Sequence, residues 1–224
     1  MQTVFDNKHL LWRGLELTLE LSAVIIVCGT LLGILIGIGL LYGNRVVRTL
    51  LRLYVDLIRG LPLLVLIFLL FYGLPALKIE ILGVTIPTNF SRFAVAAIAF
   101  SMFAGAHVGE IVRGGLHSLP KGQTDAGKAI GLTFWARLRY ILFPQALPQM
   151  IPPWVNTAVE LVKGTSLVTL VSLNDFLFAS RKIGERTGDV VPVYIAAAIV
   201  YFIVNFTISR AGARVARRLR VGVA

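Results

Sequence analysis

Long apolar runs separated by short polar stretches dominate the pattern of this chain. Residues 21–44, 60–77, 93–109, 140–159 and 190–209 contain no Asp, Glu, Lys or Arg, and each run is 17 to 24 residues long. A helix rising about 1.5 Å per residue needs roughly 17 to 25 apolar residues to cross the hydrocarbon of a bilayer. The pattern therefore predicts an all-α polytopic membrane protein with five transmembrane helices, a single domain over residues 1–224. The first run is too long for a signal-peptide core and has no basic segment before it, so it is expected to stay in the mature protein. Within it Gly29, Gly33 and Gly37 share one helix face, against which another helix of the same chain can pack closely.

The stretch from Glu110 to Lys163 begins and ends with ionisable residues beside long apolar runs, and between the third and fourth runs it holds a basic segment, about 113–143. That segment reads as two short helices broken at a glycine. Pro120 suits the start of the first, Gly131 a left-handed cap at its end, and Thr133 the cap of a second helix carrying Phe134, Trp135 and Leu138. Ala126, Gly127 and Ala129 leave the first helix little side-chain bulk, as a peg entering a groove on another protein would need.

Other local signals are less regular. Asp56 and Arg59, three apart, are expected to pair near the inner interface, and Pro62 to kink the second helix. Residues 74–92 carry Pro75, Gly83, Pro87 and Asn89 and read as an external loop with a short strand-like or interfacial piece at 79–86. Small residues crowd the third helix, 93–112, as suits the interior of a bundle. Pro144, Pro148, Pro152 and Pro153 are expected to forbid a regular ladder in the fourth, with the freed carbonyls satisfied by neighbouring protein or a water-lined cavity. Residues 183–188 read as an external loop of mixed charge, and the basic tail from Arg210 is expected to lie along the inner leaflet.

Composition agrees with the membrane pattern: 57% of residues are hydrophobic and the mean hydropathy is +0.82. The net charge of +11 is then read against the bilayer, because no aromatic-interleaved basic patch supports nucleic-acid binding. Placing the C-terminus in the cytoplasm puts 13 of the 22 Lys and Arg residues inside and 7 outside, with Arg59 and Lys163 in or beside apolar runs. The positive-inside tendency favours that orientation, with the N-terminus external. Cys28 stands alone and reads as packing; His9, His107 and His117 have no metal-ligand spacing, and no catalytic constellation is visible.

Asn156, Glu160 and Lys163 fall within about 60° of one another at about 100° per residue, a polar stripe on the fourth helix, with Arg113 expected near its inner end. Ionisable groups at membrane depth face a partner or a wet path. Two readings stay open: Glu160 and Lys163 neutralise each other, or they meet a substrate carrying both signs. Residues 122–129, GQTDAGKA, mimic a phosphate loop but end in Ala where Ser or Thr would hold magnesium, and no strand precedes them.

The stretch SLPKGQTDAGKAIG at 118–131, LFPQAL at 142–147, Asn156, and LVKGTSLV at 161–168 resembles the coupling loop and following helix of ABC-importer permease subunits. It is most similar to the polar amino-acid uptake permeases. Asp125-Ala126-Gly127, Gly131 and Pro144-Gln145-Ala146 match the loop's E-A-A-x-x-x-G core and its P-Q-A end, with Asp in place of the usual Glu. YVDLIRGLPLL at 54–64 extends the resemblance upstream, and it continues to about Val200. His107 stands where the family often has Tyr, and IGER at 183–186 is like the acidic amino-acid branch.

The resemblance implies a permease of the bacterial inner membrane working by alternating access on glutamate, aspartate or another polar amino acid. It implies ATPase subunits gripping Gly122, Asp125, Ala126, Gly127, Ala129, Gly131 and Pro144. A second permease subunit, identical or homologous, a solute-binding protein and membrane lipid are the other implied partners. No cofactor is expected in this chain; ATP and magnesium belong to the ATPase. The rival class is a stand-alone ion-coupled transporter or channel, which broken helices and midplane carboxylates would also serve.

Overall fold

The computed structural model describes residues 2–76, 79–81, 84–86 and 90–221. A short α1 (Gln2–Asp6) precedes α2 (Lys8–Tyr42), α3 (Arg45–Gly60) and α4 (Leu63–Ala76). Strands β1 (Ile79–Ile81) and β2 (Val84–Ile86) pair antiparallel, so the strand-like piece expected outside the membrane is a small hairpin on an otherwise helical chain. Then come α5 (Arg92–His117), α6 (Lys121–Ala129) and α7 (Phe134–Arg137), which passes through a π turn (Leu138–Leu142) into α8 (Phe143–Gly164). A 3-10 stretch (Thr165–Val171), α9 (Phe176–Thr187) and α10 (Val190–Val221) complete it.

Among the described residues three helices, α2, α5 and α10, are long and apolar enough to cross a membrane singly; two bent pairs bring the candidate spans to as many as five. The second span is α3 plus α4, turned through 106° at Leu61 and Pro62. Pro62 lacks an amide and biases the residue before it away from helix, and Leu61 is extended at φ −95°, ψ 137°. The expected kink is thus a corner. The fourth span runs from Phe134 to Val171 and bends 52° into α9.

The core forms where α2 crosses α5. A Cβ added at Gly33 would lie 2.5 Å from that of Val108, and one at Gly37 2.6 Å from that of Val112; Gly29 meets Ala104 in the same way. In return, Leu32 and Ile36 pack onto Gly105 and Gly109. The glycine stripe therefore serves packing inside the chain, as its spacing suggested. Leu21, Ile25, Ala99 and Phe100 are wholly buried beside it.

Several local expectations change. Helix α8 stays helical through Pro148, Pro152 and Pro153, although each removes a ladder amide. Ala146, Val155 and Ala158 are buried against neighbouring elements, so tertiary packing holds the segment where its own ladder is incomplete. The π turn absorbs the first proline: the Phe143 amide bonds to the Leu138 carbonyl one residue before Pro144. Residues 183–187 are helix, not loop, because Ile183 is core and Gly188, at φ +78°, supplies the left-handed stop. The tail from Arg210 continues α10 straight on, since nothing after Pro192 breaks the helix. At about 1.5 Å per residue that helix is roughly 48 Å long, well beyond a bilayer core of about 30 Å.

Candidate functional site

Two clefts open along the surface of α8. The first, about 490 Å³, lies between the α3–α4 corner and the end of α8, lined by Arg59, Pro62, Phe103, Glu160 and Lys163 among others. The second, about 500 Å³, lies between α5 and the middle of α8, lined by Arg59, His107, Glu110, Gln149 and Asn156 among others. Arg59 and Thr157 line both, so the two are neighbouring parts of one face formed by candidate membrane spans.

The predicted stripe is present on that face. Asn156, Glu160 and Lys163 are all exposed along α8. Glu160 and Lys163 make no ion pair within 4 Å among the described residues, so mutual neutralisation has no geometric support. Lys163 also borders a smaller cavity with Tyr194 and Tyr201. Arg113 is the fourth residue predicted for this path. It belongs to α5, and its guanidinium bonds Glu110 at 2.7 and 3.0 Å, which brings it to the cleft only through that carboxylate. Asp56 and Arg59 do not pair either: the cation nearest Asp56 is Arg52, at 3.9 Å. An i,i+4 partner one turn back, Arg52, is the one within reach.

Glu110 is the centre of a triad that the sequence marked only as an ionisable residue beside an apolar run. Its Oε1 accepts from Arg52 of α3 at 2.6 Å and its Oε2 from Arg113. One carboxylate thus joins α3 to α5 with both oxygens engaged, a charge-assisted arrangement stronger than a neutral hydrogen bond. The i,i+3 spacing of Glu110 and Arg113 was a readable signal; the cross-element Arg52 was not. His107 turns its Nδ1 to the Phe103 carbonyl at 2.9 Å. Asp175, wholly buried, caps α9 through the amides of Leu177 and Phe178 and accepts from the Thr169 hydroxyl at 2.6 Å. An Asp just before an apolar helix start was the available signal for that cap.

The basic segment folds from its sequence outward. Helix α6 ends at Gly131, φ +77°, with the Leu132 amide bonded to the Gly127 carbonyl and the Gly131 amide to that of Lys128. These are the two bonds of a Schellman cap, and they fix the predicted left-handed glycine. Thr133 caps α7 through the Ala136 amide at 3.3 Å. Gly122, Asp125, Ala126 and Ala129 lie on the exposed surface of α6, next to Ile130 and Trp135, which are 73% and 65% exposed. Asp125 pairs with Lys128 at 3.6 Å.

Gly127 points inward instead: an added Cβ would meet Arg137 at 2.8 Å, so its smallness serves packing beneath the exposed face. Pro144 is exposed at the start of α8, and the next residue, Gln145, donates to Gln123 at 3.0 Å and ties α6 to α8. Gln145 belongs to the P-Q-A element read in the sequence, but its bond to Gln123 was not visible there.

The family described as "Binding-protein-dependent transport system inner membrane component" matches residues 29–221. The chain is 33% identical to the glutamate/aspartate import permease protein GltK of Escherichia coli O157:H7, over 92% of each chain. It is 34% identical to the probable glutamine ABC transporter permease protein GlnP of Bacillus subtilis, over 97% of this chain and 96% of that one. A crystal structure of an amino acid ABC transporter with histidines superposes with a TM-score of 0.82 at 27% identity, covering 97% of both chains.

Proposed function

We propose, for a chain that belongs to the binding-protein-dependent transport system inner membrane component family, that it is the permease subunit of an ATP-driven importer of polar amino acids. Its place is the inner membrane, which it crosses several times. Two permease subunits, this chain with an identical or homologous second, enclose the path and alternate its access between the two sides. A solute-binding protein delivers substrate from outside. ATP and magnesium act on separate ATPase subunits, which grip the exposed face formed by Gly122, Asp125, Ala126 and Ala129, stiffened by Gly127, Gly131 and Pro144. The 13 to 7 distribution of basic residues supports an external N-terminus and a cytoplasmic C-terminus.

The observation that carries this reading is the polar face of α8. Asn156, Glu160 and Lys163 line clefts at membrane depth without pairing to one another, where charges are costly unless they meet a partner. A zwitterionic substrate supplies both missing signs. Arg113 contributes by holding Glu110 at the edge of the second cleft.

Reconstitution into liposomes with the ATPase and binding-protein subunits tests it. Uptake should require ATP inside and should not respond to an imposed ion gradient. Glu160→Ala and Lys163→Ala should each lower uptake by about tenfold or more, a loss of roughly 1.4 kcal/mol per decade of substrate interaction. The double variant should assemble without regaining uptake; recovery there would mark a structural pair. Gradient-driven uptake without ATPase subunits would favour the ion-coupled class.

A further inference from the structure

We infer that Arg59 is the anchor for a substrate carboxylate and that the clefts it joins select a dicarboxylic amino acid; the inference rests on the amino-acid reading above. Arg59 sits in the last turn of α3, just before the Leu61–Pro62 corner, and is the one charged residue lining both clefts. It makes no ion pair or hydrogen bond among the described residues, whereas Arg52 on the same helix engages Glu110. A guanidinium carries five donors in a planar fork that matches a carboxylate. It lines both clefts without a partner, so its natural complement is an anion entering from the path.

The charges lining the two clefts decide what that anion belongs to. The first cleft presents Arg59 and Lys163 against Glu160. The second adds one carboxylate, Glu110, whose two oxygens already accept from Arg52 and Arg113. Two cations and one carboxylate therefore remain to be complemented. A neutral amino acid, with one ammonium and one carboxylate, leaves a cation over; a basic one leaves that cation over and adds an unpaired cation of its own. Only an amino acid with one ammonium and two carboxylates matches the set: ammonium to Glu160, and the carboxylates to Arg59 and Lys163. The corner at Leu61 and Pro62 also places Arg59 where movement of α3 against α4 changes its reach, so the same contact reports occupancy to a bent element.

The test is equilibrium binding of radiolabelled L-glutamate, L-glutamine and L-arginine to the importer complex purified through a tag on this chain and held in lipid nanodiscs. Glutamate should bind at least about tenfold more tightly than glutamine, the scale of one charge-assisted contact, and arginine should not compete. Arg59→Gln should remove the preference, bringing glutamate and glutamine within about twofold of each other, while Arg59→Lys, which keeps the charge but not the fork, should retain part of it. Assembly of both variants is followed by size-exclusion chromatography, and Arg59→Lys carries the test if Arg59→Gln does not assemble. Unchanged glutamate preference in the assembled variants, or tighter binding of glutamine or arginine by the unaltered complex, would overturn the assignment while leaving the amino-acid reading intact. Failure of all three amino acids to bind would overturn both.

Discussion

Single residues decide how closely the helices of this protein approach. Gly33 lies under the Val108 side chain and backbone atoms of α5, so even a methyl group there has nowhere to go: its nearest neighbours would be at 2.5, 2.6 and 3.0 Å. Gly114, on the same α5, has nothing within 4 Å of an added Cβ. The two positions make opposite demands on one substitution. Gly33→Ala should destabilise by about 1 to 3 kcal/mol through overpacking, whereas Gly114→Ala should stabilise by up to about 1 kcal/mol through helix propensity. Thermal unfolding of the detergent-solubilised protein checks both, and an unchanged midpoint for Gly33→Ala would mean the α2–α5 contact is looser than described. Electrostatics is equally local. Glu110 answers to Arg52 and Arg113, and Asp125 to Lys128, whereas the charges lining the first cleft, Arg59, Glu160 and Lys163, make no ion pair among the described residues.

At the scale of elements, the exposed surface of α6 is offered by a framework that holds it rigid. The Schellman cap at Gly131, the Gln123–Gln145 bond and the close seat of Gly127 on Arg137 all fix α6 against α7 and α8. Gly131→Val places a β-branched residue at φ +77°, a strain of about 1 to 3 kcal/mol, and should loosen the peg. Ala126→Arg should instead obstruct docking of an intact one. Each should reduce amino acid transported per ATP hydrolysed by about tenfold while membrane insertion is unaffected; normal coupling in both would refute the docking assignment.

These features were legible because they depend on local chemistry. Glycine at a left-handed cap, threonine at an N-cap and small residues every fourth position announce themselves in sequence. What escaped reading depended on tertiary context. Helix α8 keeps its form through prolines because neighbours hold it, residues 183–187 are helical because Ile183 is core, and Arg52 reaches Glu110 only once α3 crosses α5.

For the whole molecule, delivery of substrate from one side and ATP-driven coupling from the other require opposite ends of the bundle to face opposite sides of the membrane. The chain itself supplies the spacing: α5 carries the cleft residues His107 and Glu110, and α6 follows within a few residues of its end at His117. On the proposed coupling, a shift of α6 driven from the cytoplasm would act through α5 on Glu110 and, through the Arg52–Glu110 bond, on α3 and the corner beside Arg59. That chain of contacts works only if the peg is inside and the 74–92 segment outside. The bias of 13 basic residues to 7 predicts this orientation, since translocation of flanking Lys and Arg is disfavoured. With Cys28 replaced by Ser, a cysteine at Gly122, which has open space around it, should resist an impermeant thiol reagent applied to intact cells. It should react once the membrane is permeabilised. A cysteine at Gly83, outside the described residues but in the middle of the predicted external segment, should react without permeabilisation. The reverse pattern would turn the molecule over, put α6 out of reach of any cytoplasmic ATPase, and remove the physical basis for ATP-driven coupling through it.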